Sequence, residues 1–338
     1  MNLIIKTLVF KTPYHSGWRH TERLLSNTTL IRSLTLIASQ LNLTEFINKV
    51  RNGKLRSSAL LPAILDKEGV LRPLLPLIKL PSKIKDVKAS WISLKAAQEL
   101  LRTFRSCKEV PIIVDLIAEK DHQTIIFECN GKLHKGLAIK GKVIIHQEEL
   151  NHINGVNDLI VPYKEIRNRI DRVSGSADLF PVVGHQALTP LWFLMISEEI
   201  NEVLLDRLLN ILSKLGIGGL RSRGWGRFEI VKIPIHKEYK EILEKGVFYK
   251  EPNYYISLGD TSLSNIIDLR KSIIELGFIE GLSGVSNNLY ILPKIALIRP
   301  GSIVYLTKRP YDINLIEEVE IPYLNYKPFI QLSTIFWG

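Results

Sequence analysis

Hydrophobic positions along the chain switch between two periods. Residues 2–11, NLIIKTLVFK, are β-branched and aromatic, which predicts a first strand that ends before Pro13. A polar loop, YHSGWRHTERLLSN, leads into TTLIRSLTLIASQLN. There Leu30, Leu34, Ile37 and Leu41 keep the three-to-four-residue spacing of an amphipathic helix. Pro62, Pro73, Pro76 and Pro81 break any long helix, so residues 60–85 read as extended segments and turns. KAAQELLRTFRS (95–106) predicts a short helix. VPIIVDLIAE, QTIIFECNG and GKVIIHQE, between 110 and 147, predict strands.

Order returns near 186. QALTPLWFLMIS reads as a buried strand, followed by a helix from about Glu198 to Lys214 with Ile200, Leu204, Leu208, Leu212 and Leu215 on one face. Glu198 and Glu199 in its first turn and Lys214 in its last suit the helix dipole, and Gly216 suits the left-handed position past its end. A glycine–arginine stretch comes next, then RFEIVKIPI as a strand. NYYISLG predicts a strand, SLSNIIDLRKSIIELG a helix, and NLYILPKIALIRPGSIVYLT strands around a turn. The fold class is therefore α+β, built from two helix–strand units with no sequence repeat, the first swollen by an insertion.

Composition narrows the function. The 338 residues carry a formal charge of +11 and are 46% apolar, enough for well-buried cores. Such a basic excess favours nucleic acid, an anionic surface or an acidic partner, because neutralising phosphates releases counterions. Cys107 and Cys129 lie in no CxxC or Cys/His pattern, so neither a disulfide framework nor structural zinc is expected, and no other cofactor is implied. No signal-peptide h-region opens the chain and no apolar run of eighteen residues occurs, so the expectation is a cytoplasmic protein away from membranes.

The candidate chemistry lies in LGIGGLRSRGWGRF, residues 215–228. The stretch lacks the lysine of a P-loop, and Arg221 stands where a dinucleotide fingerprint needs its third glycine. Both of those motifs run strand–loop–helix, whereas this loop follows a helix, whose C-terminal end repels phosphate. An anion can still meet Arg221, Arg223 and Arg227 and the backbone N–H groups around Gly216, Gly218, Gly219, Ser222, Gly224 and Gly226. A chain of phosphates threading along the loop fits this pattern better than one nucleotide in a cup. The plainer reading is a flexible connection with solvated arginines. Trp225 suits either a base stack or a buried position at the start of the strand.

GIGGLRSRGWGRF resembles the C-terminal glycine-rich loop of the repeat-associated mysterious proteins, the RAMP superfamily of CRISPR-associated RNA-binding proteins. RNRIDRVSGSADLF (167–180) is similar to that family's Ile-Asp-Arg, Thr/Ser-Gly, Ala, Leu-Phe pattern, and FKTPYHSG to its first strand ending in Pro, His and Gly. LLSNTTLIRSLTLIAS and LRSSALLPAI, followed by RPLLPLIKLPSK, resemble the fourth-subunit group of Csm-type (type III) complexes, with Leu61-Pro62 replacing a Phe-Pro. The resemblance covers about residues 1–233. It implies two ferredoxin-like (RRM-type) units, at 1–233 with an insertion at about 50–165, and at 234–338. It further implies a non-catalytic, Cas-five-like subunit that grips the 5′ repeat-derived tag of a CRISPR guide RNA. Its expected partners are that RNA, the backbone RAMP subunits and the large polymerase-domain subunit. The equivalent subunit of a Cmr-type complex is the nearest alternative.

Other residues carry weaker readings. YHSGWRH places His15, Trp18, Arg19 and His20 together. Two histidines can supply base and acid to a metal-independent ribonuclease that matures repeat RNA, while RNA contact by His15, Trp18 and Arg19 needs no catalysis. Arg167, Arg169 and Arg172 continue an RNA track or pair with Asp171 to shape a loop. SGVSNN (283–288) reads as a turn, and YKEILEKG and LRKSIIELG as solvated amphipathic helix faces. The apolar stretch 60–80 suits a surface that neighbouring subunits bury.

Overall fold

A computed structural model describes residues 2–17, 21–84, 87–107, 109–153, 158–170, 176–197, 201–279, 282–285, 288–291, 294–310, 316–318 and 329–338. The first strand, β1 (Asn2–Phe10), leads through the loop to helices α1 (Asn27–Gln40) and α2 (Thr44–Arg51). Strands β2 (Leu55–Ser57), β3 (Leu61–Leu65), β4 (Leu71–Pro76) and β5 (Trp91–Ser93) precede helix α3 (Leu94–Ser106). Then come β6 (Ile112–Ala118), β7 (Gln123–Cys129), β8 (Lys132–Lys140), β9 (Val143–His146), β10 (Ile160–Ile170) and β11 (Ala177–Ala187). Strand β12 (Leu191–Ser197), helix α4 (Glu202–Leu215), β13 (Phe228–Val231), α5 (Lys237–Val247) and β14 (Tyr254–Ser257) follow.

Strands β1 to β9, β12 and β13 form one sheet, in order β13-β1-β12-β3-β4-β5-β9-β8-β7-β6, with β2 also on β12. Its first four strands pair antiparallel. With α1 and α4 as the crossovers, their spatial order is that of a ferredoxin-like βαββαβ unit. The expected insertion shifts accordingly: β2 and β3 belong to the unit, and the added strands run from β4 to β11.

Strand β12, LWFLMIS, explains why one sheet serves two cores. Alternate side chains point to opposite faces. Leu191, Phe193 and Met195 join α1 and α4 on one side, while Trp192, Leu194 and Ile196 join α3 and α5 on the other. Each fully buried side chain of this size contributes about 1.5–3 kcal/mol. The second core also holds Leu61, Leu71 and Leu75 together with Tyr239, Leu243, Tyr254 and Trp337, so packing runs continuously across residue 233. The apolar stretch 60–80 is accordingly interior to this chain, correcting the expectation of a surface for neighbours: Leu60, Leu61, Leu74 and Leu75 are fully buried here.

Three further expectations change. Residues 262–277 form no helix, because their backbone groups bond across to residues 303–307. Asp268 N–H donates to Tyr305 O at 2.9 Å and Ile273 N–H to Ile303 O at 2.8 Å, and Ser272 Oγ donates to Asp268 O at 2.6 Å. Buried Ile266 and Ile267 make that non-local pairing more favourable than a half-solvated helix. The second crossover expected in 234–338 is therefore absent among the described residues, where α5 stands with short antiparallel strands. Helix α4 starts later than Glu198, with Asn201 capping the Val203 N–H at 2.9 Å and Glu202 in the first turn. Finally, Cys107 and Cys129 are joined in a disulfide, contrary to expectation. The sheet brings the end of α3 beside the end of β7, with a Cα separation of 5.8 Å that spacing along the chain does not reveal.

The C-terminal part is fastened to the first unit through polar groups. The Asn27 side chain mimics a peptide, donating to Asp260 O at 3.1 Å and accepting from Asp260 N–H at 2.8 Å. Arg299 links Glu22 (2.8 Å) to the Asp260 carboxylate (3.4 Å). Asp260 is 1% exposed. Burial pushes its pKa up to about 6, with Arg299 opposing the shift and Glu22 adding to it. The folded chain thus binds a proton here that the unfolded chain has released, so stability falls as pH rises from about 4 to 6. Across that window the parent should lose up to about 3 kcal/mol relative to Asp260→Asn and then run parallel to it. Urea unfolding of both proteins at pH 4, 5, 6 and 7 measures this, and a constant difference refutes it.

Candidate nucleic-acid interface

The glycine–arginine stretch is a clamped loop. Helix α4 ends at Gly216, whose N–H donates to Leu212 O at 2.8 Å. The backbone there takes φ +83° and ψ 155°, a positive φ as expected but with an extended ψ outside the left-handed helical region. A Cβ on Gly216 would collide with Trp225 O, on Gly218 with His15 O, and on Gly226 with Ile217 O, all at positive φ. These three glycines let backbone approach backbone.

The loop is stitched to its neighbours by main-chain hydrogen bonds. Ile217 N–H donates to Gly226 O at 2.9 Å, Gly219 N–H to His15 O at 2.8 Å and Gly226 N–H to Pro13 O at 2.7 Å. Arg227 N–H donates to Thr12 Oγ1 at 3.0 Å and its carbonyl accepts from Lys11 N–H at 2.9 Å. The expectation that glycine N–H groups face an anion is corrected at Gly216, Gly219, Gly224 and Gly226, whose N–H groups are spent on protein carbonyls. What the loop offers outward is side chains. A single 3-10 turn, Arg221–Arg223, follows Leu220 at φ +59° and ends at Gly224 at φ +83°. Ser222, Arg223 and Arg227 are exposed and Arg221 half-buried.

The hairpin β10–β11, which had no predicted strands, covers this loop. Ile160 to Ile170 pair with Ala187 to Ala177, and directly opposed residues share a face. One face carries Tyr163, Arg167, Arg169 and Phe180. Tyr163 meets buried Trp225 edge-on at 5.6 Å, and Arg223 lies 5.8 Å from the centre of the Phe180 ring. Trp225 is 3% exposed, so of its two readings the structure takes the buried one. Gly184 makes room for it, since a Cβ there would stand 2.5 Å from the indole. The other face leaves Ile166, Ile170 and Leu179 at least 65% exposed. Alternation of apolar and charged residues in IVPYKEIRNRI is the signal that would have disclosed these strands.

The remaining candidates distribute as follows. His15 is held by Val183 O, 2.9 Å from its Nδ1, and sits between the loop and β11. Arg169 is exposed on the hairpin face that carries Phe180. Arg167 is paired with Glu165, at 2.8 and 3.1 Å. Trp18, Arg19, His20, Asp171 and Arg172 lie outside the described residues. Beside His15, Tyr14 and His185 exchange backbone hydrogen bonds at 2.8 and 2.9 Å. Burial, then the charges of Arg23 and His15, hold the His185 imidazole below its ordinary pKa, so it is neutral at pH 7. Among the described residues no cluster of three or more metal-ligating side chains occurs, and no helix is long and apolar enough to cross a membrane.

No protein-family model matches the chain, and no curated protein matches it. Solved structures do. A chain of the Csm3–Csm4 subcomplex in the type III-A CRISPR-Cas interference complex is 16% identical, with 98% of each chain covered and a TM-score of 0.53. A chain of the type III-B Cmr-beta complex bound to cognate target RNA and AMPPnP is 11% identical over 89% of this chain and 86% of that one, with a TM-score of 0.47. The first likeness is one of fold: the chain has the fold of a subunit of a type III CRISPR-Cas complex.

The clamped loop separates two glycines by consequence. Gly226→Ala should destabilise the protein by about 3 kcal/mol or more, combining positive φ with a backbone collision. Gly224→Ala should cost only about 1–2 kcal/mol, because nothing lies within 4 Å of a Cβ there and positive φ is the sole penalty. Equal denaturation midpoints for the two variants would show that the loop is not held as described.

Proposed function

We propose that the chain, with its type III subunit fold, is a guide-RNA-binding subunit of a Csm-type interference complex that performs no chemistry on the RNA. The observation that carries this reading is the clamped loop itself. Gly216, Gly218 and Gly226 are consumed in holding backbone against backbone, while Arg221, Arg223 and Arg227 are displayed within seven residues of one another. A rigid display of guanidinium groups suits a single-stranded phosphate backbone, because little side-chain and loop ordering is left to be lost on binding. Phe180, beside Arg223 on the hairpin, adds an aromatic surface on which an unstacked base can lie.

In this reading the loop, His15 and Arg169 line one course for the 5′ repeat-derived tag. The exposed apolar face of β10–β11 suits contact with a neighbouring backbone subunit, and the large polymerase-domain subunit completes the assembly. A role as metal-independent ribonuclease requires a second proton-transfer group beside His15. The Val183 carbonyl lies against the His15 Nδ1 and orients the ring, and the EDTA assay below separates the two readings.

Fluorescence anisotropy with a labelled single-stranded repeat RNA tests the reading. The parent should bind with a steep salt dependence. Arg221→Ala/Arg223→Ala/Arg227→Ala should reduce the slope of log K against log salt by about 2, near 0.7 per lost phosphate contact. Unchanged affinity in that triple variant removes the loop's assigned role. In EDTA the RNA should remain intact, whereas site-specific cleavage abolished by His15→Ala would make the protein an enzyme.

A further inference from the structure

One half-buried arginine in this region has no anion against its guanidinium. Tyr14, fully buried, donates its hydroxyl to the Arg23 carbonyl at 2.6 Å and so fixes that residue's backbone. The Arg23 guanidinium lies 4.5 Å over the centre of the Trp91 ring. Its Nη2 is buried with no hydrogen-bond partner, as are His185 Nδ1 and Trp91 Nε1. His185 and Trp91 are 9% and 2% exposed.

Other enclosed arginines among the described residues have an acceptor on the guanidinium, although Arg105 Nε is itself left unpaired. Arg72 pairs with Asp66 at 3.1 Å, Arg299 with Glu22, and Arg105 donates to Tyr254 O at 3.2 Å. Asp158, whose charge bears on Arg23, is itself bonded to Lys142. Burial draws the Arg23 pKa down, with Tyr14 and Asp158 opposing the shift. A buried charged donor left unmade is among the costlier polar defects, and an acceptor with two oxygens in the guanidinium plane removes it.

The position says which acceptor. Tyr14 and His15 are consecutive: Tyr14 exchanges backbone bonds with His185, and the His15 carbonyl takes the Gly219 N–H. The unpaired donors and the arginine loop therefore flank one short stretch of chain. Resting on the RNA-binding reading above, we propose that Arg23, with His185 beside it, holds one phosphate of the bound single-stranded RNA. This contact continues the course set by the loop arginines. Trp91 supports the guanidinium from below and keeps its plane fixed.

The test uses the full chain and the same labelled single-stranded repeat RNA across a salt series. Arg23→Gln should weaken binding about tenfold or more at 0.15 M salt and lower the salt slope by about 0.7, one phosphate contact. Arg23→Lys should restore the slope while recovering only part of the affinity, since an ammonium supplies the charge without the planar fork. Thermal unfolding followed by circular dichroism checks that the variants are folded. Should Arg23→Gln fail that check, His185→Gln takes its place, with binding expected to weaken several-fold. Parent-like affinity and slope in the folded variants overturn this site and leave the loop's role standing. A parent chain that binds no RNA overturns both.

Discussion

Everything in this fold hangs on a strand that has no solvent face. Strand β12 is apolar at six consecutive positions and must therefore be covered on both sides. Helices α1 and α4 cover one side, and α3 and α5 with the C-terminal strands cover the other. Because side chains alternate strictly, a register slip of one residue would exchange the two cores. The pairing of β1 with β12, from Asn2 opposite Ser197 to Leu8 opposite Leu191, is thereby set, and so is the height at which β13 joins β1. The glycine–arginine loop enters at that edge, so its place in space follows from a packing requirement several strands away.

Charge is used differently in the interior and at the loop. Inside, two cations are matched by pairs of carboxylates: Lys6 on β1 reaches Glu202 and Asp206 on α4, each at 2.6 Å, and Arg299 ties Glu22 to Asp260. Burial draws the Lys6 pKa down, but the Asp206 and Glu202 carboxylates more than offset it, which keeps the ammonium charged. Such pairs orient elements more than they stabilise them, since desolvation offsets much of the attraction. At the loop no carboxylate closes on the exposed guanidinium groups of Arg223 and Arg227 among the described residues, and an excess of positive charge is left facing outward. The glycines make that display possible by letting three main-chain crossings lie closer than any side chain would permit.

Much of this was legible in the chain. Apolar periodicity marked β1, α1, α3, β12, α4 and β13 because each satisfies its own backbone locally or repeats its burial pattern along its own length. The order helix–loop–strand at 202–231, and with it the exclusion of the nucleotide-binding motifs, needed nothing more. Trp225 was ambiguous because the same residue serves a base stack or a core, and only Tyr163 and Gly184, some forty to sixty residues away in sequence, decide between them. The helix expected at 262–277 failed for a related reason: its periodicity was genuine, but strand 303–305 supplied backbone partners that no local window contains.

The sequence by itself determined what each segment prefers, the excess of positive charge and the identity of the residues in the glycine–arginine loop. Those properties depend on side-chain shape, backbone freedom and ionisation, which each residue brings with it. Tertiary structure alone decided which carbonyls consume the loop's N–H groups, that Cys107 meets Cys129, and that Arg23 is enclosed without a carboxylate while Arg299 has two. These are relations between residues far apart in the chain. They come into being only when the two-sided burial of β12 brings distant segments together, because contact energies depend on distance in space and not on distance in sequence.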